Sequence, residues 1–119
     1  MDLQTYLARS YTAYQATEHA EAMLRENGFE ALRENESWHI VVNGKYYVKR
    51  GGSSLIAFRV GSRPYFKIVS SHTDSPAIKL KENAEMQSGI YVKWNTERYG
   101  GGIWYSFFDR PLRVAGQVV

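Results

Sequence analysis

The apolar residues of this sequence change their spacing near residue 38, and with it the secondary structure they can support. Before that point Leu3, Tyr6, Leu7, Tyr11 and Tyr14 recur near the 3.6-residue period that gathers side chains on one helix face. Asp2 is placed to cap this segment. Thr12 with Gln15 three positions on has the form of a capping box, in which each side chain serves an otherwise unpaired amide at a helix start. Ala16, Ala20, Met23 and Leu24 then form an apolar stripe, and Asn27-Gly28 is a natural stop because glycine accepts the left-handed conformation that closes a helix. One bent helix or two would satisfy this pattern.

From Trp38 the period is two. Trp38, Ile40 and Val42 alternate with His39 and Val41, Asn43-Gly44 suits a two-residue hairpin turn, and Tyr46 to Val48 reads as the returning strand. Gly51-Gly52-Ser53-Ser54 is a loop, Leu55 to Val60 a third strand, and Gly61-Ser62-Arg63-Pro64 a turn. Tyr65 to Ser71 reads as a fourth strand, apolar on both faces apart from Lys67, as an interior strand would be. After Pro76 the character shifts: residues 77–81, 89–94, 102–108 and 112–119 are strand-like, aromatic or β-branched, with no convincing helix. A boundary near residue 77 is expected, dividing the chain into 1–76 and 77–119.

Composition narrows the function classes. With 119 residues, 44% of them hydrophobic, the chain is ordinary globular material and long enough for one core. The absence of cysteine excludes disulfide scaffolds, zinc ribbons and thiol catalysis, and suits a reducing compartment. Fifteen basic residues against twelve acidic give a formal charge of +3 that is spread out rather than gathered in a block, so nucleic acid is not indicated as a partner. No apolar run approaches the roughly 18–20 residues of a membrane span, and Met1-Asp2-Leu3-Gln4 does not open a secretion signal. A cytoplasmic protein without a membrane partner is the expectation.

His72-Thr73-Asp74 is the sharpest chemical signal. On an extended strand residues two apart share a side, roughly 6.5 Å apart, so His72 and Asp74 can face one site. A metal-binding imidazole usually has its second nitrogen held by a carboxylate or carbonyl, a role open to Asp74; an Asp-Ser-Pro surface turn is the plainer alternative. Ser71, His72 and Asp74 do not make a hydrolase triad, because near neighbours on one strand cannot line up as nucleophile, base and orienting acid. Tyr99-Gly100-Gly101-Gly102-Ile103 lacks the spacing of a nucleotide loop and reads as a tight bend or close backbone approach. His19 and His39 read as packed or solvent-facing, and Glu82 with Glu85 as a solvated turn. Tyr91, Trp94, Tyr99, Trp104, Tyr105, Phe107 and Phe108 alternate with Lys93, Arg98 and Arg110; such a cluster could stack bases, but core or protein interface fits the low charge better.

Taken together, Trp38, Lys45-Tyr46-Tyr47-Val48-Lys49-Arg50, Ser53-Ser54-Leu55-Ile56-Ala57-Phe58, Ser71-His72-Thr73-Asp74-Ser75-Pro76, Tyr99-Gly100-Gly101-Gly102-Ile103-Trp104, Phe108-Asp109-Arg110-Pro111-Leu112 and Ala115-Gly116 strongly resemble, in order and spacing, the front part of the aspartyl aminopeptidase family of zinc metallopeptidases. The resemblance implies an α/β fold: N-terminal helices plus the mixed β-sheet of a zinc exopeptidase domain over 1–76, followed over 77–119 by the start of a β-rich inserted oligomerisation domain. It implies a pair of zinc ions that cleaves the N-terminal residue, preferably Asp or Glu, from a peptide substrate, in a homo-oligomer. His72 matches the family's first zinc ligand and Asp74 the catalytic carboxylate that orients and tunes it. The base, the bridging carboxylate and the other ligands fall in segments after residue 119, so this stretch alone is expected to be inactive. The alternative is a non-catalytic oligomerisation or interaction module derived from the same family. The sequence departs from the common pattern at Gln15, where His is usual, at Gly51, where Asn is common, and at Gln117, where Arg is common.

Overall fold

The structure, a computed structural model, describes residues 1–118. Two helices open the chain, α1 over Leu3–Arg9 and α2 over Ala13–Glu26. Their starts follow from the local sequence: the Asp2 carboxylate accepts the Thr5 amide at 2.8 Å, and Thr12 and Gln15 close the expected capping box at α2. Ser10 caps the end of α1 and Tyr11 alone separates it from the Thr12 cap of α2, so the segment is two helices rather than one bent one. At the far end Gly28 takes a φ of +74° and the Phe29 amide reaches back to the Leu24 carbonyl at 3.0 Å, the glycine stop the sequence suggests. The face expected on α1 is not buried, however: Leu3, Leu7, Tyr11 and Tyr14 are exposed, and only Tyr6 turns inward, donating to the Ala16 carbonyl at 3.2 Å.

Strands β1 (Glu30–Ala31), β2 (Lys45–Arg50) and β3 (Ser54–Arg59) form a three-stranded mixed sheet in the order β1-β2-β3, parallel between β1 and β2 and antiparallel between β2 and β3. With the two helices this is α/β architecture. β2 is its centre, and Tyr46, Tyr47 and Val48 are buried in succession because both faces of the strand are covered. Register pairs Tyr47 with Ala57 and Tyr46 with Phe58, so Tyr47, Ala57 and Leu55 share one face. α2 meets this face: the Tyr47 hydroxyl reaches Glu21 of α2, and Ala20, Met23 and Leu24 line one open hollow with Leu55 and Ala57. Tyr46 and Phe58 share the opposite face, their rings 5.7 Å apart, with Trp38 6.5 Å from Phe58.

Trp38 to Val42 corrects one expectation. It is not a hairpin strand, because both edges of β2 are already occupied, by β1 and by β3. The segment instead lies over the Tyr46 side: the Val41 amide donates to the Tyr46 hydroxyl at 3.2 Å, and the Trp38 indole donates to the Arg33 carbonyl at 2.7 Å. Asn43, at φ +67°, turns the chain into β2, with its amide on the Val60 carbonyl at 2.8 Å. The hairpin of this sheet lies one strand later, at Gly51 and Gly52, both left-handed.

Tyr65 to Ser71 corrects a second. An interior strand needs a neighbour at each edge and cover on each face; among the described residues it has neither, so the segment joins no ladder and Phe66, Ile68 and Val69 stand 93, 83 and 99% exposed.

Contacts divide the chain into two compact units, residues 1–74 with the last residues from Ala115, and residues 75–114. In the second unit β4 (Ala77–Ser88) and β5 (Tyr91–Tyr99) form an antiparallel hairpin that turns at Gly89, with a bulge between Leu80 and Glu85 where Asn83 takes φ +52°. The expected strand at 77–81 is thus the start of a longer one, that at 89–94 is the turn at Gly89 and Ile90 followed by the start of β5, and Glu82 and Glu85 lie at a bulge inside β4 rather than in a turn. Residues 102–108 are not a strand: Trp104–Phe107 is a 3-10 turn, its Trp104 and Phe107 rings 5.9 Å apart. Among the described residues, 112–118 likewise form no strand, and Val119, the last residue of that expected strand, lies outside the described residues. The glycine run does make a close approach: a Cβ at Gly102 would sit 3.0 Å from the Pro76 side chain.

Candidate metal centre

The His-x-Asp segment lies just beyond the unpaired stretch 65–71. It is a bend centred on Thr73 rather than an extended strand. The His72 Nδ1 is 2.5 Å from the Asp74 backbone carbonyl and 3.5 Å from its Oδ1. A carbonyl can only accept, so Nδ1 carries the proton and the lone pair of the neutral ring is on Nε2. That is the tautomer an imidazole needs to ligate a metal through Nε2, with ring direction held across the bend. His72 itself is exposed.

Around the bend is a shallow, open cleft of about 340 Å³. Its walls are Ala13 at the start of α2, the hairpin end Ser53 to Leu55, and Ser71 to Asp74, so four hydroxyl-bearing residues share the cleft with the imidazole. The Thr73 hydroxyl donates to the Ser53 carbonyl at 2.9 Å and ties the bend to the residue that precedes β3.

Zinc can be tested against this donor set. The Nε2 of His72 is suited to one coordination position, and Asp74 to holding the ring behind it. A catalytic zinc takes three protein ligands and an open position. No group of three His, Asp or Glu side chains gathers anywhere among the described residues. The residues therefore fit zinc as a single donor with its orienting partner, and do not form a complete binding set.

The other candidates separate from this place. His19 is a packed histidine, its Nδ1 3.2 Å from the Ser10 hydroxyl and its ring edge-on to Tyr6 at 6.4 Å. His39 lies in the segment over Tyr46, its carbonyl facing the Tyr46 hydroxyl at 3.5 Å. Arg98 stacks over the Trp104 ring at 5.9 Å within the second unit.

A charged cluster that sequence reasoning did not single out supports the sheet on which the cleft is built. The Glu21 carboxylate, 14% exposed, accepts from Arg25 at 2.5 Å, from Lys49 at 2.7 Å and from the Tyr47 hydroxyl at 3.0 Å. The Lys49 ammonium, with the Tyr47 hydroxyl and Arg25 behind it, holds this carboxyl below the ordinary glutamate range. Glu21 and Arg25 four apart on a helix was the available signal; the strand residues that complete the cluster come from tertiary pairing. At the outer end of β2, Arg50 similarly lowers the Glu34 carboxyl through a paired contact.

Against known proteins, residues 6–119 match the family model described as aminopeptidase I zinc metalloprotease (M18). A probable M18 family aminopeptidase 2 of Clostridium acetobutylicum is 45% identical over 118 residues, covering 95% of this chain and 27% of that protein. Aspartyl aminopeptidase 4 of Saccharomyces cerevisiae is 41% identical over 96% of this chain and 24% of its own length. A solved structure described as the Ape4 and Nbr1 complex superimposes with a TM-score of 0.82 at 36% identity, over 89% of this chain and 21% of the matched one. The chain thus spans about a quarter of the length of the curated relatives it matches.

Proposed function

Since the chain belongs to the M18 family of aminopeptidase I zinc metalloproteases, we propose that it is the N-terminal portion of a zinc-dependent aminopeptidase and that it contributes His72 as one metal ligand and Asp74 as the residue that orients it. The observation that carries this is the exposed His72 ring, with Nδ1 committed to the Asp74 carbonyl, in the wall of a cleft lined by Ser53, Ser54, Ser71 and Thr73. Bound zinc supplies Lewis-acid activation of a carbonyl and of a water. The Asp74 carbonyl makes the His72 ring a better ligand by accepting a hydrogen bond from its Nδ1–H, and the Ser53, Ser54 and Ser71 hydroxyls offer polar contacts to a peptide terminus. The remaining ligands and the general base come from sequence outside these residues, so the 119-residue stretch alone is inactive. The substrate is a peptide with an acidic first residue, and the setting is cytoplasmic.

The test is release of N-terminal Asp, Glu and Leu from chromogenic substrates by the full-length zinc-loaded protein, beside bound zinc measured by mass spectrometry. Acidic residues leave fastest, and His72→Ala lowers both turnover and zinc content. Retained zinc and retained turnover in that variant would remove His72 from the site.

Assembly into a homo-oligomer is part of the same reading. Its support is the β4-β5 hairpin, where Ile90, Tyr91, Val92 and Trp94 are exposed on a two-stranded ribbon too thin to bury them. A non-catalytic assembly module is the second reading the same hairpin favours. Light scattering separates the two: a defined oligomer of full-length protein with no zinc and no turnover supports the module, whereas one that carries zinc supports the enzyme.

A further inference from the structure

The bend that presents His72 has to be fixed both within itself and against the sheet. Residues 65–71 before it join no ladder among the described residues, the Asp74 carbonyl sets the His72 ring relative to the bend, and placing the bend on the sheet needs a second reference. The Thr73 hydroxyl supplies that second reference. It donates at 2.9 Å to the carbonyl of Ser53, twenty positions earlier in the chain.

Ser53 is a well-determined anchor. It sits between the left-handed Gly52 and the first residue of β3, whose partner across the hairpin is Arg50, so the β2-β3 register sets where its carbonyl points. Thr73 is suited to grip it. A β-branched side chain has few χ1 choices, so fixing the hydroxyl also fixes the backbone at the apex of the bend. Both flanks of that apex belong to the candidate metal centre.

We infer that Thr73 is a positioning residue for the metal site: its hydroxyl on the Ser53 carbonyl docks the His72-Asp74 bend onto the hairpin end and sets where Nε2 is delivered. This rests on the reading of His72 as a ligand. In this role Thr73 acts through the backbone of its neighbours.

The experiment uses full-length protein carrying Thr73→Val, Thr73→Ser or His72→Ala, with zinc affinity read by competition against a chromophoric chelator and amide exchange of residues 71–74 read in the metal-free state. Valine keeps the branched shape and removes the donor. Thr73→Val should weaken zinc binding about fivefold, the effect of one ordinary hydrogen bond, and speed exchange across the bend, while Thr73→Ser should restore most of both. Zinc affinity and exchange unchanged in Thr73→Val, with His72→Ala clearly weakened, would overturn the inference and leave the ligand assignment standing. Faster exchange in Thr73→Val with unaltered zinc affinity would also overturn it, reducing the bond to local structure. Unaltered affinity in His72→Ala would instead reject the ligand assignment on which the inference rests.

Discussion

Removing one oxygen from the centre of the sheet should show how the helix and the central strand are held together. Tyr47 is 2% exposed and its hydroxyl stands between two charged groups, donating to Glu21 at 3.0 Å and accepting from the Arg25 Nε at 2.8 Å. Tyr47→Phe keeps the ring and its packing and deletes only these bonds. The Arg25 side chain is 65% exposed, so water can replace the hydroxyl there and that bond counts for little. Glu21 is 14% exposed and keeps Lys49 and Arg25, so its carboxylate is not orphaned. What is lost is close to one hydrogen bond to an ionised acceptor, at the low end of the usual range, about 1.5 kcal/mol. With a urea slope of about 2 kcal/mol per molar, the unfolding midpoint should fall by about 0.7 M with the slope unchanged. Far-UV circular dichroism in urea measures it. Combining Tyr47→Phe with Glu21→Gln should cost about 1 kcal/mol less than the sum of the two single changes, because the second change acts on a bond already gone. A coupling near zero would refute the account, since the two groups would then hold the helix on the sheet independently.

The same carboxylate predicts a pH dependence: the Glu21 pKa is depressed in the fold, so its stabilisation is complete above the ordinary value of 4.5 and is lost as pH falls through the lower folded value. Urea midpoints should therefore separate wild type from Glu21→Gln at pH 6 and converge toward pH 3; a constant separation would contradict the assignment. Thr17 is 0% exposed and its hydroxyl finds no partner among the described residues, so Thr17→Val should stabilise by about 1 kcal/mol; a loss of that size in thermal melts would reveal a partner. Thr12→Ala removes the side chain that accepts the Gln15 amide at 3.3 Å and should cost about 1 kcal/mol, with the extra amide exchange confined to the first turn of α2. Gly51 stands at φ +58° with open space where a Cβ would go, so Gly51→Asn should be close to neutral while Gly51→Val costs about 1–2 kcal/mol, ranked by the same urea titrations.

Gly51 also explains one departure from the family pattern: asparagine, the common residue there, is the other side chain that tolerates the left-handed region. Gln15 has a physical reading as well, because its carboxamide oxygen accepts the Tyr11 and Thr12 amides at 3.0 and 3.2 Å and so completes the cap of α2. Nothing in the structure explains Gln117.

What could be read from the chain by itself were the features governed by a few neighbouring residues: the caps at Asp2 and Thr12, the stop at Gly28, the turn glycines at 51 and 52, the strand at Tyr46 to Val48, and the pairing of His72 with Asp74. Apart from the strand, whose bonds run to β1 and β3, each depends on backbone conformations and hydrogen bonds that close within four residues or so, and the interaction partners are therefore written beside one another in the sequence. Features that depend on which edge or face is vacant were decided only by tertiary structure. Trp38 to Val42 has a strand's alternation but became a cover over Tyr46, since β1 and β3 already held both edges of β2. Tyr65 to Ser71 has an interior strand's composition but no neighbours among the described residues, and its apolar side chains stand in solvent. The tie from Thr73 to Ser53 and the meeting of Lys49 with Glu21 link residues 20 and 28 positions apart, separations at which local sequence carries no register and only the packed hairpin does.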